Sequence, residues 1–397
     1  MIIQRNNILY YLSFMLFLFV NYIGHSGLSL RYIFFLGIRV PALVFILLIL
    51  GTKILSDLRT KNQLFIFSGL ILLTAFIAYN MKSTFAGLNI MTTLFFILGL
   101  KDIPIKNLLR IWLWEIGGLM IVTYISYKLG IVGDVFGYRD GILSRYSLGY
   151  IFNTLPANYF FQFTVIYLFY REKKIKLIEM LFLLLINYRI YIYTDTKSAF
   201  YFSILALFVF LLVKFIKIPN SLINFINRYL ILLAIFIPLF LSYNYGSGLP
   251  IYVTLNRILT NRLMLGYRAL NEYGFSWFGQ PIQIVIGEQV SQFNKYFYID
   301  SSFLSIAVRQ GIIFLFLIVI AYIMLSSHKA IKNNLYYMLS FAVITLHGMF
   351  DPQFIELVYN PLLLFLGLLF YSDENYELNS EERFSPIGNG ELYFDKN

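Results

Sequence analysis

The sequence predicts an all-α polytopic transmembrane helical bundle with about twelve spans. Of its 397 residues, 13% are charged and 59% are hydrophobic, whereas a soluble domain usually carries about 25% charged residues. Apolar runs of roughly 17–22 residues recur along the chain, and each is long enough to cross a hydrocarbon core about 30 Å thick. No stretch that would make a soluble domain is left between these runs, so the sequence is suited to lipid as its solvent.

The predicted spans follow one another along the chain with short connections. They are 8–23, 33–52, 63–80, 85–100, 108–129, 155–170, 177–194, 198–215, 229–245, 302–325, 335–350 and 355–371. Arg5 precedes the first run, which has no small-residue cleavage site, so it is predicted to be a permanent helix with a cytoplasmic start. Alternate loops are then cytoplasmic, as their basic residues require: Lys53, Arg59, Lys61, Lys101, Lys106, Lys173, Lys174, Lys176, Lys214, Lys217, Arg228, Lys329 and Lys332. Both termini fall on the cytoplasmic side.

The transmembrane domain, 1–371, includes two outward loops longer than a turn, 130–153 and 246–299. The second loop is long and rich in aromatic residues, so it is predicted to fold as short amphipathic helices on the membrane surface. The remaining residues, 372–397, form an acidic tail of low apolar content. This tail is predicted to be cytoplasmic and disordered.

Missing residue types and motifs argue against several classes of protein. The chain has no cysteine and only three histidines, which excludes disulfides and thiolate chemistry and disfavours a histidine-rich metal site. It has no phosphate-binding G-x-x-x-x-G-K-[ST] motif and no paired aspartates for a metal-bound nucleotide sugar. The net charge of +11 is explained by the cytoplasmic loops and does not require nucleic acid.

Basic residues on the outward side do not follow the positive-inside rule. Arg257, Arg262 and Arg268 fall within the second outward loop, and the first contains Arg139 and Arg145. Arginine binds phosphate oxygens two at a time, so these residues are candidates for binding an anionic substrate. On one continuous helix, Arg257 and Arg268 would share a face and Arg262 would lie about 140° away. Interaction with anionic lipid headgroups is the alternative explanation.

Three residues are candidate proton acceptors near the outer ends of predicted spans. Asp300 begins the span after the long loop, where it would also complement the helix dipole as an N-terminal cap. His347 and Asp351 are four positions apart and therefore share a helix face; such a pair acts either as a base or as a structural contact. The polar cluster 193–198, which follows Arg189, is either a functional group of side chains or a link between two helices.

Three local patterns resemble the Wzy-type O-antigen and capsular polysaccharide polymerases, which share a superfamily with the O-antigen ligases. The segment 260–279 resembles the arginine-led loop helix of that family, and Arg268 to Gly279 fits an R-x10-G pattern. Asp300 to Gly311 has the spacing of the ligase motif H-[NSQ]-x9-G, with aspartate in place of histidine, which favours a polymerase over a ligase. The segment 347–361 is similar to the closing hairpin of capsule polymerases.

This resemblance implies a GT-C-like, metal-independent glycosyltransferase without a cofactor, at the outer face of the bacterial cytoplasmic membrane. Its donor and acceptor would be undecaprenyl-diphosphate-linked oligosaccharides, and a chain-length regulator would be a further partner. Arg139, Arg145, Arg257, Arg262 and Arg268 would bind the diphosphate, and Asp300, His347 or Asp351 would accept the proton.

In the same scheme, Tyr267, Tyr273 and Trp277 would stack on sugar faces, unless they only anchor the loop at the interface. Two alternatives to the polymerase remain at this stage. One is an O-antigen ligase or protein O-oligosaccharyltransferase of the same superfamily. The other is a flippase or transporter, which the concentration of polar residues in one outward loop disfavours.

Overall fold

The computed structural model describes residues 2–139, 142–285 and 296–371, with side chains omitted for 2–5, 138–139 and 142–144. The predicted disordered tail, 372–397, lies outside the described residues. Within the described parts the chain is mostly helical, in agreement with the predicted fold class.

The long and medium helices follow the predicted spans closely as far as residue 245. In chain order the α-helices are α1 (Ile2–Ile23), α2 (Gly27–Arg31), α3 (Phe34–Asp57), α4 (Lys61–Asn80), α5 (Thr84–Leu98), α6 (Ile105–Lys128), α7 (Leu155–Arg171), α8 (Leu177–Thr194), α9 (Lys197–Leu212), α10 (Asn220–Tyr245), α11 (Pro250–Ile258), α12 (Arg262–Glu272), α13 (Ser302–Ser305), α14 (Ile312–Ser326) and α15 (Leu335–Gly348). A short 3-10 turn, Glu172–Lys174, joins α7 to α8. A 3-10 helix, Pro361–Leu369, ends the described chain.

Among the residues described, six helices are long and apolar enough to cross a membrane: α1, α3, α4, α6, α8 and α10. Helices α5, α9, α14 and α15 are apolar but shorter. Large apolar side chains cover the outside of the bundle as well as its core, and Phe65 on α4 is 82% exposed. Helices that are apolar on every face are typical of membrane spans, so the membrane character of the chain is supported.

Helix packing places the later segments of the chain against the earlier ones. Helix α1 packs on α3 and α6, α3 on α5, α7 on α8 and α9, and α10 on α12, α14 and α15. The final 3-10 helix packs against α5, α6 and α14, and most of its side chains are buried. This last described helix therefore lies inside the bundle.

Two predicted spans are not continuous α-helices. The predicted span 302–325 consists of α13, a π-helical turn at Ile306–Gln310, a break at Gly311 and α14. The predicted span 355–371 is irregular before the 3-10 helix begins at Pro361. Proline at 361 removes a backbone donor, and Gly311 has a φ of +103°, a conformation that other residues rarely adopt.

The two loops predicted to face outward, 130–153 and 246–299, differ in how well their structure was predicted. The second loop contains the two short helices α11 and α12, as expected, in its described part. The first loop contains an antiparallel β-hairpin of β1 (Phe136–Arg139) and β2 (Ile142–Tyr146), which the all-α prediction missed. A two-stranded hairpin is short, and its alternating pattern is hard to distinguish from a loop in sequence alone.

Gly279 and Gly311 meet where the second loop contacts the break before α14. The Gly311 N–H donates to the Ile306 carbonyl, and a β-carbon at Gly311 would lie 2.6 Å from the Gly279 nitrogen and 2.6 Å from the Trp277 oxygen. The Gln280 side chain donates to three backbone carbonyls across this contact, those of Tyr273, Gly274 and Val308. Gly279, which ends the R-x10-G pattern, and Gly311, which ends the pattern that begins at Asp300, are thus both needed for one backbone contact.

Replacing Gly311 with alanine is expected to destabilise the protein strongly. The positive φ alone costs about 1–3 kcal/mol for a residue with a side chain, and the new β-carbon would overlap with the 277–279 backbone. The midpoint of thermal unfolding of purified protein in detergent measures the effect. Gly69→Ala in α4 is the matched control, because a β-carbon there meets nothing within 4 Å. Equal midpoints for the two variants would contradict the proposed role of this contact.

Candidate functional site

A pocket of about 1110 Å³ lies at one end of the bundle. Its lining comes from the start of α7, the junction of α8 and α9, helices α11 and α12, and the segment that precedes α13. Five basic and two acidic side chains line it: Arg145, Lys197, Arg257, Arg262, Arg268, Asp195 and Asp300. We call it the arginine pocket. Its excess of positive charge favours an anionic ligand.

The three arginines of the second loop do not lie on one continuous helix. Helix α11 ends at Ile258, and Thr260 and Asn261 then adopt positive φ values of 53° and 68° before α12 begins. The chain turns at this point, so the prediction that Arg257 and Arg268 share one face of a continuous helix is wrong. Arg257, Arg262 and Arg268 instead line one pocket from two helices.

Arg262 is the first residue of α12 and lies between two carboxylates. Its Nε is 3.9 Å from Asp300 Oδ1, and its Nη2 is 3.9 Å from Asp351 Oδ2. These distances are too long for hydrogen bonds, so the contacts are electrostatic. The side chain is 23% exposed and makes no hydrogen bond to a described residue, which leaves its N–H groups available to a ligand in the pocket.

Asp300 combines access to the pocket with a raised pKa. Burial raises the pKa of its carboxyl from 3.8 to about 6, with Arg262 opposing the shift and Asp351 adding to it. Ser301, the next residue, caps α13 by accepting a hydrogen bond from the Leu304 N–H. The predicted capping role therefore belongs to Ser301. Asp300 remains free to face the pocket.

His347 and Asp351 form a buried pair behind the pocket. Nε2 of His347 lies 3.1 Å from Oδ2 of Asp351, which confirms that the two residues share a face, although the angle is outside the range of a hydrogen bond. His347 packs against the rings of Phe161 and Phe202 and does not line the pocket. Burial opposes ionisation of Asp351, yet the nearby His347 and Arg262 hold the pKa of its carboxyl below the ordinary value.

Two neutral side chains that sequence reasoning missed fix the position of Asp351. Asn158 of α7 donates a hydrogen bond to Asp351 Oδ1 at 3.3 Å. Ser302 donates to the Asp351 backbone carbonyl and accepts from the Phe354 N–H. Isolated polar residues such as these are usually satisfied within their own helix, so nothing in the sequence links them to Asp351.

Arg268 and Arg145 line the pocket but also make contacts within the protein. Arg268 donates to the Tyr296 carbonyl at 3.0 Å, lies over the ring of Phe297 and contacts Glu272. Arg145 donates to the Thr194 carbonyl at 2.8 Å. These contacts hold the walls of the pocket together. The side chain of the other candidate from the first loop, Arg139, lies outside the described residues.

The three aromatic candidates for glycan binding lie outside the lining of the arginine pocket. Tyr267 packs against Tyr245 at the end of α10, and Tyr273 packs against Phe297. Trp277 is 67% exposed, and its carbonyl accepts from the Ile313 N–H. Their positions fit an anchoring role for the loop better than stacking on a ligand in this pocket.

The polar cluster 193–198 does reach the pocket, through Asp195, Thr196, Lys197 and Ser198. Asp195 has a φ of 44° and ends α8. The helix therefore stops at this end of the bundle and exposes these polar groups. These residues therefore form part of the lining of the arginine pocket.

In the part of the chain that the structure describes, no group of three or more histidine, aspartate or glutamate side chains could hold a metal ion.

Searches of protein families, of curated proteins and of solved structures give no match to this chain. Its function therefore has to be inferred from the sequence patterns and the geometry of the site.

Proposed function

We propose that this protein is a polysaccharide polymerase that transfers a growing glycan from undecaprenyl diphosphate onto a lipid-linked repeat unit. The observation that carries the proposal is Arg262, which faces a net-positive pocket and lies 3.9 Å from both Asp300 and Asp351. A cation for the leaving diphosphate and a carboxylate for the attacking hydroxyl are the two groups that this transfer needs. The sequence patterns shared with Wzy-type polymerases support the same activity.

In the proposed reaction, the acceptor hydroxyl oxygen bonds to the anomeric carbon of the donor sugar. The bond between that carbon and the diphosphate oxygen breaks, and undecaprenyl diphosphate leaves with the bonding electron pair. The hydroxyl proton passes to Asp300. Arginine N–H groups in the pocket stabilise the negative charge that develops on the diphosphate.

Asp300 is the best-placed base of the three candidates. It faces the pocket, and a pKa of about 6 suits proton transfer near neutral pH. Asp351 is buried and has a lowered pKa, which makes it a weak proton acceptor. Its role in the proposal is to position Arg262, while His347 holds Asp351 from behind.

The membrane setting is part of the proposal. The pocket lies at the ends of apolar helices, where the diphosphate of a lipid-linked sugar would sit while its polyprenyl chain remains among the lipid tails. We place this end at the outer face of the bacterial cytoplasmic membrane, in a GT-C-like bundle of about twelve spans, because the positive-inside rule puts the opposite loops in the cytoplasm.

A ligase or protein O-oligosaccharyltransferase would use the same pocket and differ only in its acceptor. A flippase or transporter has less support, because such proteins usually place their ionisable groups near the bilayer midplane, whereas the charges of the arginine pocket gather at helix ends.

Deletion of the gene is expected to leave single repeat units attached to the final acceptor, because export and attachment would continue without polymerisation. Gel electrophoresis of surface glycans measures this outcome, with a strain carrying the restored gene as the control. Polymer that accumulates on its lipid carrier would point to a ligase. An unchanged ladder of long chains would contradict both activities.

A further inference from the structure

A second, smaller cavity lies beside the arginine pocket and is not used by the proposed reaction. Its volume is about 250 Å³, which is room for roughly eight water molecules at about 30 Å³ each. The cavity lies between α1, α5, the π-helical turn and the irregular segment after α15. Its polar lining includes Asn89, Tyr298, Ser302, Arg309, Gln310 and Glu356. We call it the Glu356 cavity.

A stretch of irregular chain, 296–301, together with Ser302 at the start of α13, separates the two spaces. Tyr296 and Asp300 line the arginine pocket, whereas Tyr298 and Ser302 line the Glu356 cavity. Side chains two positions apart share one face of a regular strand, so the chain here is irregular, and its side chains divide between the two spaces. The two spaces therefore lie back to back at the same end of the bundle.

Several polar groups in the Glu356 cavity have no partner within the described chain. Glu356 and Arg309 line the same cavity, yet neither side chain forms an ion pair or a hydrogen bond with a described residue. Gln310 is 5% exposed, and its Oε1 has no hydrogen-bond partner. Oδ1 of Asn89 is also unpaired. Glu356 is exposed and Arg309 is half-buried, but buried polar atoms such as the Gln310 and Asn89 oxygens are normally satisfied, so a polar ligand or water is expected beside them.

The charges and shape of the cavity restrict its ligand. Glu356 and Arg309 contribute one charge of each sign, and the Arg39 guanidinium lies beside the cavity, 3.6 Å from the ring centre of Phe85 and within electrostatic range of Glu356. Surrounding hydroxyl and amide groups can both donate and accept hydrogen bonds, and the rings of Phe17 and Phe85 supply apolar faces. A molecule with many hydroxyl groups and an apolar ring face meets these conditions.

We infer that the Glu356 cavity binds a sugar residue, with Glu356 accepting and Arg309 donating hydrogen bonds to its hydroxyl groups. The inference rests on the proposed function only in taking this sugar as part of the lipid-linked glycan. The sugar held here is not the one that reacts, because the 296–302 wall separates it from Arg262 and Asp300. The cavity would retain the glycan while transfer occurs in the neighbouring pocket.

Binding of small sugars to purified full-length protein in detergent tests the inference. The probes are the methyl glycosides of glucose, galactose, mannose, rhamnose and N-acetylglucosamine, followed by calorimetry. At least one of them is expected to bind, and Glu356→Gln and Arg309→Met are each expected to weaken it at least tenfold. Asp102→Asn, an exposed carboxylate at the opposite end of the bundle, is the matched control and should bind like the wild type.

Other results of the same experiment would overturn the inference. They are the absence of binding by every glycoside, binding that Glu356→Gln leaves unchanged, or binding of the zwitterion alanine in place of a sugar. If Glu356→Gln does not fold, Gln310→Met replaces it, since it removes an unpaired amide from the same cavity. Titration with inorganic diphosphate, with Arg262→Gln as its variant, tests the arginine pocket separately, so either site can fail alone.

Discussion

Arg262→Ala is expected to lower the rate of glycan transfer by about 10²–10³-fold, the usual effect of removing a donor that stabilises a developing negative charge. Arg262 is the basic residue of the pocket that lies within 4 Å of both Asp300 and Asp351. Its loss would remove charge stabilisation from the leaving diphosphate and leave the two carboxylates facing each other. Polymer formation in proteoliposomes that contain lipid-linked repeat units measures the effect.

Two further substitutions make the test of Arg262 specific. Arg262→Lys keeps the charge but loses the planar fork, so activity between that of the wild type and Arg262→Ala is expected. Arg228→Ala removes an arginine that donates to Ser327 on the far side of the bundle, and it should leave transfer unchanged. Full-length polymer from Arg262→Ala, at normal protein levels, would refute the assignment.

Asp300→Asn is expected to lower transfer by about 10²–10⁴-fold, the range for removal of a general base. The pH profile gives the sharper result. A base must be ionised to act, and the pKa of Asp300 is raised to about 6. Wild-type activity should therefore be level above about pH 6 and fall about tenfold per pH unit below it. This acidic limb should disappear from the residual activity of Asp300→Asn.

Removal of the Asp351 charge should move the acidic limb, whereas retention of the charge at position 262 should leave it nearly in place. Asp351 raises the pKa of Asp300 and Arg262 lowers it, so Asp351→Asn should shift the limb to lower pH and Arg262→Lys should shift it little. A limb that persists in the residual activity of Asp300→Asn but vanishes when His347 is replaced by glutamine would identify His347 as the base instead.

Local sequence relationships predicted one contact beside the candidate site, the one between His347 and Asp351. His347 and Asp351 are four residues apart on the end of a helix, so their contact depends on helix geometry alone. The arginines of the second loop were recognised because they are basic residues on the side where few are expected. The short helices α11 and α12 were also predicted, since their aromatic and basic composition is typical of segments at a membrane surface.

Errors in the sequence prediction arose where the backbone leaves regular helix. The positive φ values at Thr260 and Asn261 split the predicted arginine helix in two, and the contact between Gly279 and Gly311 breaks the span after Asp300. Such turns depend on contacts with other parts of the chain. Glu356 was passed over although an ionisable residue inside a predicted span is itself an indication of function.

Composition and periodicity by themselves determined that this chain is helical and suited to lipid, because the cost of exposing polar backbone to hydrocarbon leaves few other folds. They also determined where along the chain the unusual arginines occur. Only the tertiary structure decided that Arg262 lies between Asp300 and Asp351, and that Arg309 and Glu356 share a second cavity. These contacts join residues far apart in sequence, and they depend on how helices pack and where the backbone turns, which no local pattern specifies.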